Sequence, residues 1–453
     1  MAVSPESSSQ RATFLDGIAV YFQPRVLIVL FLGFSAGLPL ALSGSTLLYW
    51  AREVGVDLKT IGLFALVGTP YTIKFLWAPL VDALDVPVLA RLLGRRRGWL
   101  IFSQLLLMVA IALLGLCDPL SAPGLVAFGA LIVAAASATQ DIVIDAFRIE
   151  SLPESEQAAG MASYVAAYRV GMLVSSAGAL YVVSGFEAFG FGKQGSWTAS
   201  YIAMAALVLI GMATALLATE PQKSVDAERA HSGVSPVQRL FTTVQGAFSD
   251  FFLRDGVQVA LVVLAFVVLF KFTDALAGVM TAPFTIDLGF SRNEYATIIK
   301  GVGLAALLIG GFAGGYVAKA FPLAASLWIG GIVQALANLA FAWQAVVGHD
   351  LAWLTFAITL ENFTSAIGTV IFVAYLSALC KNPLHTATQY ALLTALSAVG
   401  RTYLSAGAGY IADATGWMWF FVICSLAGIP GLLLLAWLQL RGHFATLGVR
   451  EKS

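Results

Sequence analysis

One stretch of the sequence, SATQDIVIDAFR at residues 137–148, carries polar side chains that its surroundings do not explain. Gln140, Asp141, Asp145 and Arg148 stand within an otherwise apolar run. The three charged residues are spaced by four and then three positions, so on an α-helix they share one stripe. Carboxylates and a guanidinium on one stripe can pair with each other, hold a proton or bind a charged ligand. Which of these three roles applies depends on whether water, lipid or other helices surround this helix.

The composition of the chain places that helix in a lipid bilayer. Of the 453 residues, 59% are hydrophobic and 11% are charged, and the mean hydropathy is +0.87. A soluble domain of this size needs more polar side chains on its surface. A helix of about 20 apolar residues is long enough to cross the hydrocarbon core of a membrane. Uncharged runs near or above that length lie at 26–51, 99–117, 119–140, 194–219, 320–348 and 414–440. The sequence therefore predicts an all-α integral membrane protein.

Hydropathy and loop breaks predict twelve transmembrane helices. The spans are 26–50, 59–82, 98–117, 122–147, 157–184, 197–218, 255–284, 293–318, 321–346, 351–379, 384–412 and 416–440. Most of the 25 Lys and Arg residues fall in alternate loops, which places both termini in the cytoplasm. The predicted organisation is an N-terminal tail (1–25), a six-helix bundle (26–219), a cytoplasmic linker (220–254), a second six-helix bundle (255–440) and a C-terminal tail (441–453).

The two predicted bundles resemble each other in sequence. A shift of 234 residues matches three positions near the end of the first span of each bundle: Gly44, Glu53 and Gly55 fall on Gly278, Asp287 and Gly289. A shift of 232 residues places Arg169 on Arg401, each in the fifth span of its bundle. Two parallel six-helix repeats around a central cavity are the architecture of the major facilitators, whose halves rock to give alternating access.

Nine Asp, Glu, Lys and Arg residues lie inside the predicted spans, away from the two residues at each end. They are Lys74, Asp141, Asp145, Arg169, Lys271, Asp274, Lys300, Glu361 and Arg401. A charge facing lipid near the bilayer centre costs about 2.5–3.5 kcal/mol, so these residues must face a polar cavity or pair with one another. Both interpretations stay open, because Lys271 and Asp274 are spaced to pair along one helix, and Asp141 can pair with Arg148 or Arg169.

The intramembrane charges suggest two roles. Cations outnumber anions among them, which suits a substrate that carries carboxylates. The predicted substrate-binding residues are Gln140, Arg169, Lys271, Lys300, Asn362, Gln389 and Arg401. A carboxylate whose neighbour changes with conformation can take up a proton on one side of the membrane and release it on the other. The predicted proton-coupling residues are Asp141, Glu361 and Asp274, and the first two compete for the main role.

A further charged set lies at the predicted cytoplasmic face. Asp82 ends span two, and a Gly-Arg-Arg-Arg-Gly run at 94–98 leads into span three. This loop resembles the major facilitator signature there, although Ala78 replaces its first glycine and residues 83–93 lengthen it. The predicted inner gate consists of Asp82, Arg95, Arg96, Arg97, Asp145 and Arg148. The alternative is that the arginines only set the membrane topology.

The sequence gives little support for a catalytic, metal-binding or ATP-driven function. Residues 33–37 match G-x-S-x-G, but they lie inside span one, without the strand–turn–helix that exposes a nucleophile. The four His and three Cys residues have no metal-ligand or C-x-x-C spacing, and no Walker motif is present. The sequence thus predicts no enzyme, no metal and no cofactor, and it argues against an ATP-driven pump.

The opening stretch resembles the span-four signature of the AmpG muropeptide permease family, a branch of the major facilitators that also includes acetyl-coenzyme A transporters. The likeness continues at 168–174, 271–278, 361–363, 387–393 and 395–401. The resemblance implies an inner-membrane permease of Gram-negative bacteria that uses the proton gradient to import N-acetylglucosamine–anhydro-N-acetylmuramyl peptides for cell-wall recycling. In some species of the family the imported products induce a β-lactamase.

The predicted function is therefore the import of anhydromuropeptides from periplasm to cytoplasm by a monomeric secondary transporter. Its expected partners are an anionic glycopeptide, protons and the lipid bilayer, with no nucleic acid. Two alternatives stay open. One is a permease of the same fold for another large anion, such as an acyl-coenzyme A, and the other is a membrane receptor that signals without transport.

Overall fold

The computed structural model describes residues 19–221, 256–380 and 386–447, and within them it contains helices and no strand. The helices are α1 (Pro24–Glu53), α2 (58–83), α3 (Arg95–Leu116), α4 (Pro123–Ser151), α5 (Ala159–Ala188), α6 (Lys193–Leu217), α7 (Val257–Asp287), α8 (Arg292–Ala320), α9 (Leu323–Val347), α10 (Leu351–Leu379), α11 (386–415) and α12 (Trp417–Leu440). Ten of these described helices are long and apolar enough to cross a membrane. Most of the predicted linker and tails lies outside the described residues.

The other two helices, α2 and α11, are interrupted. The α-helical pieces of α2 are Leu58–Leu63, Thr69–Ile73 and Ala78–Ala83, with 3₁₀ turns between them. Those of α11 are Thr386–Thr402 and Ala408–Thr415, separated by a 3₁₀ turn at Leu404–Gly407. Stretches of 3₁₀ geometry within a helix weaken its hydrogen bonding and often mark a hinge. The twelve predicted spans thus correspond, among the described residues, to ten helices that are long and apolar enough to cross a membrane and to two that are divided by 3₁₀ turns.

Helices α1 and α7, the first of each predicted bundle, end in the same way. Gly55 and Gly289 follow them with φ angles of 99° and 83°, a left-handed conformation that glycine adopts without steric cost. A backbone hydrogen bond closes the turn in each case, from Val56 to Ala51 at 2.9 Å and from Phe290 to Thr285 at 3.0 Å. These two glycines are a pair that the sequence repeat aligned, so the repeat corresponds to a shared local structure.

Each bundle is held together by close helix packing. In the first bundle α1 packs on α5, and α3 packs on α4 and α6, whereas in the second α10 packs on α8 and α9. The Gly-x-Ser-x-Gly run of α1 serves this packing, because Gly33 and Gly37 lie against the backbone of Tyr164 and Tyr168 in α5. Among the described residues, the bundles meet mainly where α1 packs on α7, α2 on α11 and α5 on α8.

Candidate functional site

One polar cluster lies where α7 is broken. The first segment of α7 ends at Leu269, and the second begins at Phe272 after Lys271. The ammonium of Lys271 is 2.6 Å from Oδ2 of Asp274, and the Ser365 hydroxyl of α10 donates to the same oxygen at 2.5 Å. Asp274 lies in the first turn of its segment, where the helix dipole stabilises a carboxylate. Lys271 and Asp274 therefore form an ion pair along one helix that also joins α7 to α10.

Three more predicted residues adjoin this pair. The Asn362 amide donates to Oε2 of Glu361 at 2.9 Å, and Glu361 lies within electrostatic range of Asp274, Lys271 and Lys300. Lys300 stands in a π-helical segment of α8, a geometry that often marks functional sites. We call Lys271, Asp274, Lys300, Glu361, Asn362 and Ser365 the second-bundle cluster. Sequence reasoning missed Ser365, although its spacing of four residues from Glu361 placed it on the same face of α10.

In the first bundle, Asp141 has a partner that the sequence did not predict. Its Oδ2 lies 3.6 Å from the ammonium of Lys74 in α2, whereas the sequence left open a pairing with Arg148 or Arg169. Neither arginine pairs with Asp141 among the described contacts, and Arg148, which is seven residues or about 10 Å further along the helix axis, lies 3.6 Å from Asp145 instead. Asp141 Oδ1 is buried without a hydrogen-bond partner among the described residues. The structure thus leaves one carboxylate oxygen of Asp141 unsatisfied.

Gln140, another predicted substrate-binding residue, is buried. Its side chain is fully buried, and its amide nitrogen and oxygen both lack a hydrogen-bond partner within the described ranges. Gln140 is therefore closed to a substrate in this conformation, and its predicted role in substrate binding stays a prediction. The side chains of two other predicted residues, Asp82 and Gln389, lie outside the described part of the structure.

Arg169 and Arg401 come from opposite bundles towards one place. Both lie within electrostatic range of Tyr168, as does Asp141. Arg401 is exposed and Arg169 is partly exposed. In the chain as described, neither guanidinium forms a hydrogen bond or an ion pair, although an unpaired cation inside a membrane protein is costly. Two guanidinium groups from opposite bundles, neither with a described partner, can donate hydrogen bonds to the carboxylates of a ligand.

The described contacts of the predicted inner-gate arginines are with residues of the first bundle and with Glu220. Arg96 approaches Oε1 of Glu150 in α4 at 2.5 Å, and the backbone amides of Arg96 and Arg97 donate to Glu220 at 2.8 and 3.0 Å. Arg148 is 3.6 Å from Asp145 on its own helix. Of the ion pairs that the structure describes in this set, none crosses to the second bundle, so a gating role remains a prediction.

The contact between Arg96 and Glu150 makes a testable prediction for stability. Glu150→Gln is expected to destabilise the protein by about 1–3 kcal/mol, because Arg96, with only 5% of its side chain exposed, would lose its carboxylate. Asp145→Asn is the matched control, since Asp145 is 50% exposed and its 3.6 Å contact with Arg148 contributes little. Thermal unfolding in detergent measures both. Equal midpoints for the two variants would show that Glu150 does not stabilise Arg96.

Among the described residues, four ion pairs at the other end of the molecule join the bundles, and the sequence did not assign them a role. They are Arg52–Asp287, Lys59–Asp413, Arg292–Glu53 and Arg292–Glu187. The internal sequence repeat could have indicated these ion pairs, because it aligned the carboxylates of Glu53 and Asp287 at equivalent positions of the two bundles. Each of these two carboxylates binds an arginine of the opposite bundle. Loop charge bias predicts that this end faces the periplasm.

No metal site accompanies these charges. Within the described ranges, no group of three or more His, Cys, Asp or Glu side chains is arranged to hold a metal ion. The arrangement is instead one of lysines, arginines and carboxylates on facing helices. Such groups can bind a charged solute and exchange a proton, and they offer no nucleophile with an adjacent base.

Comparison with known proteins finds similar chains. The profile of the Major Facilitator Superfamily matches residues 29–402. The anhydromuropeptide permease of Escherichia coli (strain K12) is 39% identical over 419 residues, which are 92% of this chain and 80% of the relative. The putative transporter AmpG 4 of Rickettsia felis is 35% identical over 416 residues, covering 92% of this chain and 96% of the relative.

Solved structures share the fold at low sequence identity. A bacterial homologue of the human lysosomal transporter Spinster superposes with a TM-score of 0.65 at 15% identity, covering 95% of this chain and 99% of that one. A D-xylose–proton symporter superposes with a TM-score of 0.64 at 14% identity, covering 92% of this chain and 97% of that one. At this level of identity, these similarities show a shared arrangement of helices and nothing about function.

Proposed function

The chain belongs to the major facilitator superfamily and, within it, to the AmpG family of permeases, and from this premise we propose that it imports anhydromuropeptides by proton-coupled alternating access. It is a multi-pass protein of the bacterial inner membrane and a transporter, not an enzyme. The proposed substrate follows from the name of the Escherichia coli relative, an anhydromuropeptide permease. The proposed direction is from periplasm to cytoplasm, where cell-wall recycling would consume the product.

The observation that carries the substrate proposal is the open pair Arg169 and Arg401. An anhydromuropeptide bears carboxylates on its peptide, and a guanidinium binds a carboxylate with two parallel hydrogen bonds. The two arginines stand on opposite bundles, so one substrate that engages both would hold the bundles in a defined relation. In the second-bundle cluster, Lys300 and Asn362 are polar groups that can orient the rest of a large polar solute.

Proton coupling is supported by carboxylates that face lysines on neighbouring helices. Asp141 of α4 faces Lys74 of α2 at 3.6 Å, with 13% of the Asp141 side chain exposed. Because α2 also contacts α11 of the other bundle through the Thr72 and Thr402 hydroxyls at 3.1 Å, a change in the charge of Asp141 acts on a helix at the interface. Glu361 is the competing carrier, since it lies in range of two lysines and Asp274.

Uptake by purified protein in liposomes tests this proposal. With an inside-alkaline pH gradient, proteoliposomes should accumulate a labelled anhydromuropeptide, and a protonophore should abolish the accumulation. Labelled acetyl-coenzyme A, offered in parallel, should not enter faster than into protein-free liposomes. Uptake of acetyl-coenzyme A alone would assign another large anion, and no flux of either compound would contradict a transport function.

A further inference from the structure

We propose that seven residues at the predicted periplasmic end form an outer gate, and that the ion pairs of Arg292 contribute most to holding it closed. The outer gate consists of Arg52, Glu53, Lys59, Glu187, Asp287, Arg292 and Asp413, which make the four ion pairs between the bundles. This inference rests on the proposed alternating access. It goes further in stating which contacts hold the inward-facing state and in what order of importance.

Arg292 is the most enclosed member of the gate. Its side chain is 9% exposed and reaches two carboxylates of the first bundle, Glu53 at 2.6 Å and Glu187 at 2.8 Å. The Trp197 indole donates to the other oxygen of Glu53 at 2.7 Å, and the Arg292 guanidinium lies 5.7 Å from a Trp197 ring centroid. The Arg292 Nε is buried without a hydrogen-bond partner among the described residues, but charge pairs that are shielded from water remain costly to break from one side.

The remaining pairs differ in exposure. Arg52 binds both oxygens of Asp287, at 2.6 and 2.7 Å, with about a fifth of each side chain exposed. Lys59 and Asp413 are 3.1 Å apart, but 51% and 50% of their side chains are exposed. An exposed lysine–carboxylate pair is screened by water and salt and contributes little. The expected order of strength is therefore Arg292, then Arg52, then Lys59.

Close packing lies directly beneath the ion pairs. The rings of Tyr49 and Tyr295, from α1 and α8, have centroids 4.7 Å apart. Where α2 crosses α11, a Cβ on Gly62 would lie 2.8 Å from the Gly409 nitrogen, so the two backbones touch. Opening this end requires these surfaces to separate and all four ion pairs to break together. The ion pairs and this packing therefore join the two bundles at the predicted periplasmic end.

Distance measurements between two spin labels test this ranking without any substrate. The labels are placed at Phe189→Cys in the first bundle and Ala414→Cys in the second, both exposed positions at the gate end, after the native Cys residues are replaced by Ser. Arg292→Gln should raise the ratio of the long-distance population to the short one at least tenfold, since Glu53 and Glu187 both lose their cation. Lys59→Gln, the matched control, should change the ratio less than threefold.

A charge exchange distinguishes gating from a general loss of structure. Arg52→Asp alone should raise the long-distance population because two carboxylates then face each other, and Arg52→Asp with Asp287→Arg should return it towards the parent value. Equal shifts for Arg292→Gln and Lys59→Gln, or no recovery in the exchanged pair, would overturn the gate. The result is independent of substrate identity: a shifted ratio in protein that transports no muropeptide would support the gate while refuting the proposed function.

Discussion

Arg401→Lys and Arg169→Lys are each expected to lower the initial rate of anhydromuropeptide uptake at least tenfold. Lysine keeps the charge but replaces a planar, bidentate donor with a single ammonium, so each variant loses one of the two parallel hydrogen bonds to a substrate carboxylate. A lost charge-assisted hydrogen bond of about 1.5–3 kcal/mol corresponds to a change of tenfold or more. Initial rates in proteoliposomes, normalised to the amount of inserted protein, measure the effect.

Arg441→Lys is the matched control for these two variants. Arg441 follows α12, is exposed, and lies with its guanidinium 5.2 Å from a Trp437 ring centroid, far along the chain from either site arginine. Its uptake rate should equal that of the parent protein. If Arg169→Lys and Arg401→Lys also transport at the parent rate, the two arginines do not clamp the substrate, and their open guanidinium groups need another explanation.

Asp141→Asn is expected to abolish gradient-driven accumulation while leaving substrate exchange across the membrane intact. Asparagine keeps the shape and hydrogen-bonding capacity of aspartate but cannot ionise, so Lys74 loses its charged partner and no proton is carried. The accumulation ratio should fall to about one under a pH gradient that drives the parent protein. Counterflow of labelled against unlabelled anhydromuropeptide, which needs no net proton movement, should continue.

Glu361→Gln provides the comparison that assigns the carrier. If Asp141 carries the proton, Glu361→Gln should still accumulate substrate, although the second-bundle cluster then holds two lysines and only one carboxylate. Accumulation by Asp141→Asn at the parent rate, with its pH dependence unchanged, would rule that residue out and favour Glu361. Loss of both accumulation and exchange in Asp141→Asn would instead indicate that the contact with Lys74 only holds α2 against α4.

The class of the protein and the positions of its helices follow from the sequence alone. Long apolar runs determine them, because a helix in lipid satisfies its own backbone hydrogen bonds whatever its neighbours do. The predicted third span, 98–117, is observed as Arg95–Leu116, and the predicted tenth, 351–379, as Leu351–Leu379. The spacing of Lys271 and Asp274 likewise suffices to bring them together, since residues three apart are neighbours on any α-helix.

Contacts between helices were decided by the tertiary structure. Nothing local distinguishes Lys74 from Arg148 as the partner of Asp141, because that choice depends on which face of α4 turns towards α2. Gln140 is next to Asp141 in sequence, yet the rotation of about 100° per helical residue buries it inside the bundle. The ion pairs of Arg292 with Glu53 and Glu187 join residues more than a hundred positions apart, so only the placement of one bundle against the other could reveal them.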